Sequence, residues 1–171
     1  MTTNLYDATI PVFTNMLHNI ERWLDKGVAY ATERKFDPEV LLTSRLAPDQ
    51  WPLLRQIQGA CDTAKWAAAK MTGKEGPAHP DTEKTLPEIR ARLETVIAYL
   101  ATFSREDFVG CEDRRCSHQW MQGKAVRAGD YLDQYALQNF HFHCTTAYAI
   151  LRHNGVPLGK MDYITQLNMI D

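Results

Sequence analysis

The chain has 171 residues, 44% of them apolar, and a formal charge of -2, which is enough material for one domain, residues 1–171, with a sizeable core. Lys and Arg alternate with Asp and Glu, so there is no basic face for a phosphate backbone, and nucleic acid is excluded as an expected partner. The start MTTNLYDATIPVF lacks a leader pattern, and no run approaches the roughly 20 apolar residues of a membrane span, so a cytoplasmic protein with no membrane partner is expected.

From Tyr6 the apolar residues Ile10, Phe13, Leu17, Ile20, Leu24 and Val28 recur at steps of three and four, one face of a helix. Pro11 predicts that this helix either begins near Thr9 or kinks there. A short helical turn is expected near Pro38 to Leu42. In LAPDQWPLL, Asp49 is the expected N-cap of a second helix, with Pro52 in its first turn. Its stripe is Leu54, Ile57, Cys61, Ala64, Ala68 and Met71, its small residues Gly59, Ala60, Ala67 and Ala69 suit close packing, and Gly73 ends it.

GKEGPAHPD is a loop, after which Thr85 and Glu88 have capping-box spacing, although a start at Asp81 also fits. The third stripe runs through Leu86, Ile89, Leu93, Val96, Leu100 and Phe103 and carries no ionisable inward residue. Residues 104–129 break the helical period; RCSHQWMQGKAV around Gln122-Gly123 permits a small hairpin. A fourth helix is expected from Asp130 to Asn154-Gly155, before Pro157. The fold class is therefore all-α, a four-helix bundle with a small hairpin or irregular insertion before the last long helix.

The densest chemistry is NFHFHCTTAYAILRH. At about 100° per residue, Leu132, Ala136, Phe140, Ala147 and Ile150 mark the inward face of the fourth helix, and His143 falls on it. His141 points roughly the opposite way, so the two do not chelate one ion. His141 with Cys144 has ligand spacing but is assigned to the outer face. His143 has no ligand-type residue four positions away, since Asn139 and Ala147 stand there; Asn139 is kept as a binding candidate. Projection places Cys61 inward, Gln58 at the edge of the second helix and Glu21 at the margin of the first, so that Glu21, Gln58, Cys61, Asn139 and His143 form the candidate ligand-binding set. The competing reading makes His143 a neutral core histidine satisfied by hydrogen bonds and Cys61 a small core hydrophobe.

Cys111, Cys116 and His118 lack the close CxxC pairing of a zinc site and read equally well as solvent-facing hairpin residues. All four cysteines are expected as free thiols. GVPLGKM has the wrong spacing for a phosphate loop; its tail is expected to cover a bundle end or a partner subunit, with Lys160 and Asp162 as a solvated pair.

The stretches LAPDQWPLLRQIQGACDTAKWAAAKMTGKEGP and DYLDQYALQNFHFHCTTAYAILRHNGVPLGKMDY resemble a family of uncharacterised bacterial proteins in the DinB-like, or YfiT-like, superfamily. The resemblance implies a DinB-like bundle, associated as a homodimer. It also implies a relation to metal-dependent enzymes that use thiols, whose metal takes one histidine from the second helix and two from the fourth. Here the first of those positions reads Gln58, the second His143, and the third falls on a non-ligand between Tyr148 and Leu151. The expected function is a bundle protein without the three-histidine site, binding a small molecule or acting through a dimer surface, with no cofactor. The alternative is a zinc- or nickel-dependent enzyme rearranged around His143.

Overall fold

The computed structural model describes residues 4–165, 167 and 169, and its long elements are helical. Helix α1 is Leu5–Arg34, α2 is Leu53–Thr72 and α3 is Leu86–Leu100. The fourth long helix is composite: α4, Ala128–Tyr131, passes through a π turn, Leu132–Ala136, into α5, Leu137–His153. α2 is the centre of the bundle, packing most extensively on α5, then on α3 and α1. No helix among the described residues is long and apolar enough to cross a membrane.

Apolar residues of all four helices form one core, with Phe13 against Phe140 at 4.5 Å between ring centroids. Asn4 caps α1 by accepting the Tyr6 N–H, so the helix starts at Leu5 and continues through Pro11, earlier than Thr9. Asp49 does not cap α2. Pro52 occupies the N-cap position, and because a residue preceding proline avoids the helical region, Trp51 bars extension back to Asp49. Pro38–Thr43 forms the expected turn, as 3-10 helix, and Gly73 closes α2 in the left-handed conformation with φ 79°.

Helix α3 begins at Leu86 behind the Thr85–Glu88 capping box. It does not begin at Asp81, which is left-handed at φ 55°. Its inward face is not purely apolar, because Arg92 is 3% exposed and stands in the core-facing sector beside Ile89 and Val96. Its charge is compensated on three sides, which the apolar stripe alone does not reveal.

The insertion contains a minimal antiparallel pair, β1 (Arg115–Cys116) and β2 (Val126–Arg127), with Arg115 opposite Arg127 and Cys116 opposite Val126. Two residues per strand are not stable alone. Lys70 of α2 donates to the Ser117 carbonyl at 2.6 Å and ties the hairpin to the bundle. Cys111 and Cys116 face the core beneath it, not solvent. Cys144 is also fully buried, within the apolar core, so the assignment of the His141–Cys144 pair to an outer face does not hold for the thiol.

The C-terminal tail closes one side of the bundle. Val156 and Leu158 are buried, and α6, Lys160–Tyr163, is held by Trp23 donating to the Asp162 carbonyl and Asn19 donating to the Tyr163 carbonyl, both at 2.8 Å. Asp162 pairs with Lys26 through Oδ1 at 2.6 Å rather than with Lys160, while its Oδ2 accepts from the Gly159 N–H at 2.7 Å.

Candidate functional site

Arg55, Gln58, Gly59, Asp62, Thr63 and Trp66 follow one another on α2 at steps of three, one, three, one and three. This second stripe lies beside the apolar one and lines a cleft of about 310 Å³. The facing wall is Tyr131, Tyr135, Asn139 and His143, spaced by four along the composite helix. In an uninterrupted α-helix such a ladder drifts by about 40° per step and winds out of one groove. The π turn, in which the Leu137 N–H reaches the Leu132 carbonyl five residues back, sets the drift back and keeps the four side chains on one cleft. Trp51, Asp81 and the hairpin residues His118 and Trp120 complete the rim.

His143 is 7% exposed and stands where helical projection placed it. Its imidazole lies parallel to the Trp51 indole, 8° between planes and 5.9 Å between centroids, and across Gly59, where an added Cβ would be 2.8 Å from Cε1 and Nε2. A side chain at position 59 would displace the ring. The Gln56 amide nitrogen donates to the Trp51 carbonyl at 3.0 Å, which turns its oxygen toward His143 Nδ1 at 2.8 Å. Nδ1 therefore carries the proton, and Nε2 is an acceptor with no partner among the described residues. Burial holds this imidazole below its ordinary value, with Asp62 opposing only in part, so it is neutral near pH 7.

Asn139 is oriented by the same logic. The Thr63 hydroxyl donates to the Gly59 carbonyl at 2.7 Å and so accepts from Asn139 Nδ2, also at 2.7 Å, leaving the Asn139 oxygen as a second acceptor. His118 Nε2 is 2.8 Å from the Tyr131 hydroxyl, and burial, then Lys70, pushes its imidazole down to about 4.

The charges around the cleft cancel. Arg92 contacts Asp62 at 2.7 Å, Asp81 at 2.6 Å and Glu83 at 3.1 Å, Lys65 contacts Asp62 at 2.7 Å, and Arg55 contacts Asp81 at 3.0 Å. Burial works to raise the Asp81 carboxyl, but hydrogen bonds and charge from Arg92 and Arg55 hold it below the usual carboxylate range.

Of the five residues singled out in the sequence, Gln58, Asn139 and His143 line the cleft. Gln58 is spent on structure, donating to Glu83 at 2.8 Å and accepting from Arg55 at 2.9 Å. Cys61 lies behind, fully buried, its thiol pushed up by burial to about 12, which leaves it protonated and a poor nucleophile. Glu21 is elsewhere on α1, bound to His18 at 2.8 Å. The rim residues Trp51, Trp66, Trp120 and Asp81 were not anticipated; for Trp66 the α2 stripe of polar residues ending in an aromatic was a signal.

The family of the domain of unknown function DUF1993 matches residues 5–164. The chain belongs to the DUF1993 family. The crystal structure of a DinB family member protein from Shewanella denitrificans is similar to it, with a TM-score of 0.94 and 44% identity, covering 98% of this chain and 95% of that one. No curated protein matches.

The donor set of this DUF1993 chain does not fit a three-histidine metal centre. Gln58 is engaged at the first position, Tyr148 at the third region packs on Trp23 and Tyr163, and of the three positions His143 alone is a histidine, while His118 on the cleft rim is bound to the Tyr131 hydroxyl. Among the described residues no three His, Cys, Asp or Glu side chains are grouped to hold a metal ion, Cys111, Cys116 and His118 included.

Proposed function

We propose that this DUF1993 protein is a small-molecule-binding protein whose ligand is a planar organic molecule stacked in the cleft between α2 and α5. The observation that carries the reading is the gathering of three tryptophans, Trp51, Trp66 and Trp120, at 50%, 36% and 61% exposure around one polar groove. Large aromatic surface left in water beside oriented hydrogen-bonding groups is costly for folding and useful for recognition. Four buried free thiols support a reduced, cytosolic setting. Exposed Phe142 and Leu46, which flank one shallow groove, supply apolar surface for the homodimer that the family resemblance suggests. The alternative, a zinc or nickel enzyme built on His143, has only that one imidazole in its favour.

Tryptophan fluorescence titrated with a panel of soluble aromatic compounds tests the reading. Quenching that saturates in wild-type protein and disappears in Gly59→Ala, whose new methyl group displaces His143, is expected. If no compound saturates at millimolar concentration, or if Gly59→Ala and Trp120→Ala bind like wild type, the cleft is not the ligand site.

A further inference from the structure

The orientation of the polar groups in the cleft narrows the ligand further. Resting on the cleft being the ligand site, we infer that the ligand is an uncharged heterocycle bearing N–H groups, read by two acceptors, Nε2 of His143 and the side-chain oxygen of Asn139. Each acceptor is fixed by a hydrogen bond made on the far side of the same side chain. Gln56 takes the Nδ1 proton of His143, and Gln56 cannot turn over because its own amide nitrogen is engaged by the Trp51 carbonyl. Thr63 takes the amide proton of Asn139, and Thr63 cannot donate back because its proton goes to the Gly59 carbonyl. Neither group can reverse its role without breaking two hydrogen bonds, so the cleft asks for donors.

The two acceptors are one turn apart on the same face of α5, about 5–6 Å between their Cβ atoms, which suits one ring system carrying two N–H groups. Charge excludes the other classes. Arg55, the lining cation, is already held by Asp81 and Gln58, so an anionic ligand gains little. Asp62 and Asp81 are matched by Arg92, Lys65 and Arg55, so a cation finds no unpaired carboxylate there. The Trp120 face beside His118 provides a stacking wall for a planar ring, and at Trp51, which lies parallel to His143, the cation-attracting ring already has the Arg55 guanidinium 5.0 Å from its centroid.

The test compares amino heterocycles with counterparts in which every N–H is methylated, by tryptophan fluorescence: adenine against N6,N6,9-trimethyladenine, 2-aminopyrimidine against 2-(dimethylamino)pyrimidine, and 2-aminobenzimidazole against 1-methyl-2-(dimethylamino)benzimidazole. At least one amino compound should bind about tenfold more tightly than its analogue, since an acceptor left unpaired costs affinity on that order. His143→Phe, which keeps a ring against Trp51 and Gly59, and Asn139→Leu should each remove this preference. If aromatic compounds bind but each pair binds equally, the donor assignment is wrong while the stacking cleft stands. If none of the six binds and no other aromatic compound does, both fail. The wild-type comparison decides even if a variant does not fold, which circular dichroism melting would show.

Discussion

His118 and His143 are held neutral for the same physical reason, since each imidazole is taken partly out of water without an ion-pair partner, and water is what stabilises the charged ring. The consequence is a dependence of stability on pH. The folded protein resists protonating His118 until about 4, whereas the unfolded chain accepts the proton near the ordinary 6.5, so protonation favours unfolding. Stability from this residue is fully present above pH 6.5 and declines as pH falls toward 4. Urea midpoints measured from pH 7.5 to pH 4 should therefore fall in wild type and fall less steeply in His118→Gln; identical slopes would refute the assignment. The slope should not vanish, because His79, His141 and His143 are shifted in the same direction. His143 was legible in the sequence because its neighbours keep a strict helical period. His118 was not: its burial depends on Tyr131, Tyr135 and Trp120 meeting across the hairpin, and no local period records that.

At the scale of elements, α2 holds the molecule together because two stripes share one helix: an apolar one that meets the core and a polar one that opens the cleft. To the apolar packing between α2 and α3 one side chain then adds a charged link. Arg92 of α3 reaches Asp62 on α2 and, on the connecting strap, Asp81 and Glu83, and its own side chain is 1% exposed. Removing the guanidinium leaves Glu83 with the Gln58 amide but no cation, and leaves Asp62 and Asp81 with one cation each, Lys65 and Arg55. Arg92→Met should cost about 3 kcal/mol in urea unfolding, the low end for a broken buried pair because the carboxylates keep some water. Arg92→Lys should recover only part, since an ammonium cannot span three acceptors with a planar fork. A loss below about 1 kcal/mol would show the network to be dispensable. The four long helices and the hairpin were readable from apolar periodicity and turn residues. Arg92 was hidden because an arginine adjacent to an apolar stripe looks like its polar border until the strap folds over it. The π turn was hidden too, since LDQYA keeps the ordinary helical spacing and only tertiary contacts select the wider turn.

For the molecule as a whole, the choice between an organic ligand and a metal turns on what couples to folding. A ligand that stacks across α2, the composite helix and the hairpin touches elements distant in sequence, so its binding is linked to global unfolding. At a concentration a hundred times its Kd it contributes about 2.7 kcal/mol, and in a domain of this size each kcal/mol moves Tm by about 2–4 °C, so a rise of about 5–10 °C is expected. A metal held by His143 would need further ligands, and the side chains nearest in role, Gln58 and Cys61, are committed to Glu83 and Arg55 or sealed in the core. Zinc, nickel or manganese added to untagged, dialysed protein should therefore leave Tm within about 1 °C, chelator should do the same, and elemental analysis should find well under one metal per chain. Near-stoichiometric metal that survives buffer exchange and is lost in His143→Ala would reverse this, because it would mean that the cleft rearranges around an ion and that the acceptor Nε2 is a metal ligand rather than a reader of N–H groups.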